Sequence, residues 1–102
     1  MLIEYVAWQV PATDAGALEL AFYQAAAPLR AGGACPLAEL GRAHDGPGRY
    51  VARFEWTSAE ARAAFLSAAG GRTFLRALAG FDPAVVSRED CAPVHVFAGG
   101  CC

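Results

Sequence analysis

One stretch, Arg49 to Glu60 (RYVARFEWTSAE), narrows the choice of fold more than any other part of the chain. From Tyr50 to Trp56 the alternate residues Tyr50, Ala52, Phe54 and Trp56 are apolar, while Val51, Arg53 and Glu55 between them carry two charges. A strand places successive side chains on opposite faces, so the run predicts a strand buried on one face and open on the other. Thr57 and Glu60 then match a capping box, in which a hydroxyl and a carboxylate three residues later satisfy free backbone N–H groups at a helix start. The expected local structure is a strand that feeds directly into a helix.

The other segments are placed around this one. Leu2 to Val10 (LIEYVAWQV) predicts a first strand ended by Pro11, with Leu2, Glu4, Val6, Trp8 and Val10 on one face and Ile3, Tyr5, Ala7 and Gln9 on the other. Both faces are mostly apolar, which predicts a central strand covered on both sides. Thr13 or Asp14 caps an expected helix to about Ala27, with Leu18, Ala21, Phe22, Ala25 and Leu29 as its buried stripe and Pro28 as its end or kink. Cys35 to Gly41 predicts a second strand, with Pro36, which lacks a donor, accommodated either at a sheet edge or as the strand's first residue, and Asp45-Gly46-Pro47-Gly48 predicts a hairpin turn. The helix begun at Thr57 is expected to break at Gly70-Gly71, resume from Arg72 to Ala79 and stop at Gly80. A last extended segment follows from Ala84 to Phe97, interrupted around Asp90 to Pro93. The order β-α-β-β-α-β defines a ferredoxin-like α+β sandwich, an antiparallel sheet with helices on one face.

Composition bounds what such a chain can do. At 102 residues it suits one domain, expected over residues 1–97, with a flexible tail at 98–102 after Gly99-Gly100. Its residues are 56% hydrophobic and 18% charged, a surplus of apolar side chains that predicts a second copy covering the open sheet face, hence a homodimer. The net charge of −2 and the lack of any basic run argue against nucleic acid. Apolar runs fall short of membrane-spanning length and the N-terminus has no secretory pattern, so a cytoplasmic protein is expected. All 8 basic residues are arginine, a usage that fits a GC-rich bacterial genome.

The IEYVAW strand, the capped helix, Cys35 and Glu39-Leu40, then RYVARFEWTSAEA and a Phe-rich broken helix together resemble the antibiotic biosynthesis monooxygenase family of dimeric α+β barrels. The resemblance spans about residues 1–97, and its most specific piece is Tyr50 to Glu60. It implies a pocket between helices and sheet, and a reaction in which an electron-rich aromatic substrate, a quinol or polyketide-like ring, is oxidised by dioxygen with no bound cofactor. Trp56 matches the tryptophan at the strand end in these monooxygenases. Arg62 stands where relatives place a tyrosine or histidine, Arg76 matches an arginine further along, and Ala52 stands where some carry asparagine. Trp56, Arg62 and Arg76 are therefore the candidate catalytic residues. The haem-degrading branch needs an axial histidine within TFLRALA, residues 73–79, and none occurs there. The altered polar positions leave open a non-catalytic dimeric ligand-binding or stress-related domain.

Trp8, Phe22, Tyr23, Phe54, Phe65 and Phe74 are the candidate wall of an aromatic substrate pocket, although small cores use the same residues for packing. Glu4, Arg53 and Glu55 are charged residues within strands, where Arg53 between two carboxylates fixes register or an interface. A second reading makes a carboxylate the base and Arg53 or Arg76 the stabiliser of an oxyanion. His44 is expected in solvent and His95 in the last strand, facing away from Val94 and Val96. The spacing of Cys91, His95, Cys101 and Cys102 fits no standard zinc pattern, so no metal site is expected. A disulfide between the adjacent Cys101 and Cys102 would be strained.

Overall fold

A computed structural model describes residues 1–95 and 97 of the chain. The tail expected at 98–102, with Cys101 and Cys102, lies outside the described residues. Strand β1 spans Leu2–Gln9, helix α1 Ala15–Gly32, β2 Leu37–Arg42 and β3 Arg49–Trp56; then come α2 Ala59–Ser67, α3 Ala69–Leu78 and β4 Val85–Cys91. The four strands form one antiparallel sheet in the order β2-β3-β1-β4. This is the ferredoxin-like α+β fold, with its second helix in two pieces.

The alternation in β3 holds residue by residue. Tyr50, Ala52, Phe54 and Trp56 are all buried, Arg49 and Val51 are exposed, and Arg53 and Glu55 are partly exposed. Register pairs Phe54 with Glu4, Ala52 with Val6 and Tyr50 with Trp8, so these residues share the face that packs on the helices. Phe54 is the centre of an aromatic cluster, with ring centroids 5.8 Å from Phe22, 6.2 Å from Trp56 and 5.7 Å from Phe74. Burying one such ring stabilises the fold by about 1.5–3 kcal/mol. On the opposite face of β1, Ile3 and Ala7 are buried as well, as expected of a strand central to its sheet.

Helix α1 buries the predicted stripe of Leu18, Ala21, Phe22, Ala25 and Leu29. It does not stop near Ala27: it passes through Pro28 to Gly32 and ends at Gly33, whose φ of 73° is the left-handed C-cap conformation that glycine adopts without penalty. The proline costs one intrahelical hydrogen bond, and the burial of Leu29 beyond it offsets that loss. Asp14 is the N-cap without a side-chain hydrogen bond, after a 3₁₀ turn at Ala12–Asp14. The second strand starts at Leu37, after Pro36, and lies at the sheet edge. In the hairpin, Gly48 has φ 77° and its carbonyl accepts from Val10 N at 2.9 Å; a Cβ there would come within 2.0 Å of the Val10 carbonyl oxygen.

The helix after β3 is capped by Ser58 rather than Thr57. Ser58 Oγ accepts from Ala61 N at 2.9 Å, while Thr57 N donates to Ala34 O at 3.0 Å and stays outside the helix. The break also moves, to Ala68, whose ψ of 172° is extended. Gly70 and Gly71 lie instead in the first turn of α3. A Cβ on Gly71 would sit 2.1 Å from the Phe65 carbonyl oxygen, so glycine is what lets α3 fold back closely over α2. Gly80 falls within a 3₁₀ segment, Ala79–Ala84, that leads into β4. The last strand ends at Cys91, which leaves His95 beyond it and exposed; His44 is exposed in the hairpin, as expected.

Candidate functional site

Between α3 with its following turn and the sheet lies a cavity of about 400 Å³, a size that suits a small organic ligand. The rings of Trp8, Phe54, Trp56 and Phe74 form much of its wall, helped by Val6, Leu66 and Leu78. The strand alternation delivers Trp8, Phe54 and Trp56 to one face, and the helical spacing of Phe74 and Leu78 turns both toward the sheet. Glu4 contributes a carboxylate to this otherwise apolar wall, and Arg76, Asp82 and Arg88 complete the lining from exposed positions. The Arg88 guanidinium is 3.6 Å from the Asp82 carboxylate.

Glu4 is the centre of a polar network. Its Oε1 accepts from Trp56 Nε1 at 3.0 Å and from Arg62 Nη1 at 3.3 Å. Arg62 in turn grips Asp90 in a two-pronged pair, both bonds 2.8 Å. Glu4 and Asp90 are direct partners across β1 and β4, so one guanidinium from α2 bridges two carboxylates on the sheet. The Asp90 hydrogen bonds raise the Arg62 pKa further above its ordinary value, against the opposing effect of burial, and the same pair lowers the pKa of Asp90. The charge of Arg62 is therefore already matched.

Trp8 differs from Trp56 in one respect. Both indoles are almost wholly buried, yet Trp8 Nε1 has no hydrogen-bond partner among the described residues. An unmet buried donor costs about 1–3 kcal/mol, a cost more often tolerated at a working site than in a plain core.

The candidate residues separate accordingly. Trp56 and Arg76 meet at one cavity, and Trp8, Phe54 and Phe74 line it with them. Arg62 borders a neighbouring hollow and meets the cavity wall through Glu4. Phe65 packs behind the wall, its ring centroid 5.9 Å from Trp56 and 6.0 Å from Phe74. Phe22 and Tyr23 border a different hollow near the hairpin, where Tyr50 Oη donates to the Glu19 carboxylate and Tyr23 lies 5.9 Å from the Arg30 guanidinium carbon.

Arg53 lies on the opposite sheet face, beside its cross-strand partner Tyr5, and pairs with Glu55 of its own strand, away from the cavity. Sequence reasoning placed Glu4 on the correct face without linking it to the pocket, and it did not include Asp82, Arg88 or Asp90. The usable signal was Glu4 itself, a lone charge in the apolar set of Leu2, Val6 and Trp8.

Among the described residues no group of three or more His, Cys, Asp or Glu is placed to hold a metal ion, and no helix is long and apolar enough to cross a membrane. Cys35 is buried, donates its thiol to Leu37 O at 3.1 Å, and is pushed up to about 11 by burial, which keeps it a protonated thiol at neutral pH.

Solved structures share this fold. The chain is similar to a candidate antibiotic biosynthesis monooxygenase from Deinococcus radiodurans, with 19% identity and a TM-score of 0.73 over 98% of this chain and 100% of that one. A second, from Chloroflexus aurantiacus, has 18% identity and a TM-score of 0.74 over 97% and 98%. A third, from Caulobacter crescentus, has 23% identity and a TM-score of 0.73 over 92% and 91%. The fold is that of the antibiotic biosynthesis monooxygenases. No protein-family model and no curated protein matches the chain.

Proposed function

We propose that the chain binds a small, electron-rich aromatic molecule in the cavity between α3 and the sheet and oxidises it with dioxygen as a cofactor-independent monooxygenase. The observation that carries this reading is the convergence of four aromatic rings and the half-buried Glu4 carboxylate on a single cavity of about 400 Å³. Flat apolar walls match an aromatic ring, and the exclusion of water strengthens every charge interaction made inside.

Taking a hydroquinone as substrate, one atom of dioxygen forms a new ring C–O bond and the other leaves as water. The product is a hydroxyquinone. All four electrons come from the ring, and the two phenolic protons and one ring hydrogen supply the water and the new hydroxyl. The protein's part is to hold the ring, exclude water and stabilise the anion formed when a phenolic proton leaves; Arg76 on the lining is the cation proposed for that last task. Trp56 fixes the ring's position from one wall.

We also infer a cytoplasmic homodimer in which a second copy covers the sheet face that carries Val51 and Arg53. One observation favours a second reading, a dimeric ligand-binding or stress-related domain without turnover. Arg62, at a position where the resemblance places a tyrosine or histidine, is spent on Asp90 and Glu4, and Ala52 offers no polar group at all.

Oxygen uptake over a hydroquinone panel, with Trp56→Phe alongside, separates the two. Uptake above the blank that falls in the variant supports the oxygenase; ligand binding with uptake equal to the blank throughout supports the binding domain.

A further inference from the structure

We propose that Glu4 selects the ligand by its hydroxyl group: the carboxylate accepts a hydrogen bond from an aromatic O–H in the cavity and so discriminates phenols from their alkyl ethers. The inference rests on the cavity being the ligand site and names the chemical class that site takes. Glu4 is a cavity-lining residue with a side chain 18% exposed. Trp56 and Arg62 both bond to Oε1, and among the described residues nothing donates to Oε2. Oε2 is not fully enclosed, and Glu4 borders both this cavity and the adjoining hollow beside Arg62.

An ionised carboxylate accepts at both oxygens and donates at neither. Held at Oε1 by two donors, it is oriented in advance, and its remaining capacity calls for a donor on the ligand. Most of the wall is hydrocarbon and aromatic ring, with Arg76, Asp82 and Arg88 lining it from exposed positions, which favours a hydroxyl mounted on an aromatic ring over a small polar solute. A ligand that lacks the donor leaves the Oε2 side of the carboxylate desolvated and unmet. Leaving a charged group short of a hydrogen bond is more costly than leaving a neutral one, and the expected discrimination is about tenfold or more in affinity.

The Glu4→Gln variant is suited to the test. Its amide oxygen still accepts from Trp56 and Arg62, and Arg62 keeps both bonds to Asp90. Its NH₂ group now lies where the second carboxylate oxygen was, so it donates as readily to an ether oxygen as to a hydroxyl.

The probes are 1-naphthol and 1-methoxynaphthalene, titrated by calorimetry into the full chain and into Glu4→Gln. The expected result is a preference of about tenfold for the naphthol in the wild type that falls to about one in the variant. A second readout needs no variant: the Trp56 indole N–H, whose acceptor is Glu4, shifts in a nitrogen-proton spectrum of the wild type on addition of naphthol and moves less with the ether.

Equal affinity for the two probes in the wild type overturns the role of Glu4 and leaves the cavity as the ligand site. A preference that persists in Glu4→Gln does the same. Binding of neither probe up to millimolar concentration overturns the inference together with the site reading on which it rests.

Discussion

The two faces of strands β1 and β3 use the same backbone for opposite ends. On the helix side, Tyr50, Ala52, Phe54 and Trp56 are buried, and the one charged residue among their partners on β1, Glu4, is tied to Trp56 and Arg62. On the other side, Arg53 and Glu55 pair with each other two residues apart, beside a Val51 that is 38% exposed. A charge near the buried side is held by partners from distant elements and cannot be lost without leaving another group unmatched. A charge on the open side has water as an alternative partner. The first arrangement suits a built site, and the second suits a surface that a further copy can cover.

The largest expected effect tests the open face. If a second copy covers it, the wild type has twice the 10.6 kDa chain mass by light scattering, and Val51→Asp reduces that to the single-chain value by burying an unpaired charge in the interface. A wild-type mass equal to one chain at micromolar concentration removes the dimer from the proposal.

Next in size is the loss of each arginine. Arg62→Ala leaves Glu4 and Asp90 without their shared cation and costs about 1–2 kcal/mol in urea unfolding, at the lower end for charged hydrogen bonds because Asp90 is half exposed. Arg53→Ala is expected to leave the unfolding midpoint unchanged in the single chain. Equal losses at the two positions would remove the distinction between the faces.

How much of this could be read in advance followed the range of the interaction. The faces of β3 were legible because period two is a property of neighbouring residues, and so was the stripe of α1 through Leu29. The cap was misplaced by one residue because Glu60, three residues on, makes Thr57 the stronger of two adjacent local signals, Thr57 and Ser58. What separates them is the bond from Thr57 N to Ala34 O, a contact between distant segments. Pro28 read as a stop for the same reason: the burial of Leu29 belongs to the packed structure. Gly70-Gly71 marked the right region of the broken helix, but the close approach of Gly71 to Phe65 needs α2 and α3 already folded. In the cavity, Trp56, Arg76 and three of the six aromatic candidates were identified from pattern and resemblance. Glu4 was visible as an isolated charge, whereas its link to Arg62, 58 residues away, was not.

The two tryptophans sharpen the comparison within the buried face itself. Trp8 and Trp56 are 2% and 1% exposed, so replacing either with Phe removes a similar amount of buried ring. Trp56→Phe also removes a donor to Glu4, whereas Trp8→Phe removes an N–H that has no partner among the described residues. The expected difference in unfolding free energy is about 1 kcal/mol, with Trp56→Phe the less stable. If Trp8→Phe costs as much or more, its indole N–H has a role in the fold that the unmet donor does not indicate.

The smallest effect is read from acid. Arg62 lowers the pKa of Asp90 in the folded chain, so between that value and the unfolded one, near 4, the unfolded chain binds more protons. Stability from this pair is complete above the unfolded pKa and is lost as the pH falls through the folded one. In Arg62→Ala the folded pKa loses its main downward cause, and the dependence of the unfolding midpoint on pH below about 4 becomes shallower. Asp90→Asn in the wild type flattens the same region while leaving Arg62 its bond to Glu4. If neither variant changes the acid slope, the Arg62–Asp90 pair contributes nothing to folding, and the charge on Arg62 is held by Glu4 alone, within the cavity wall.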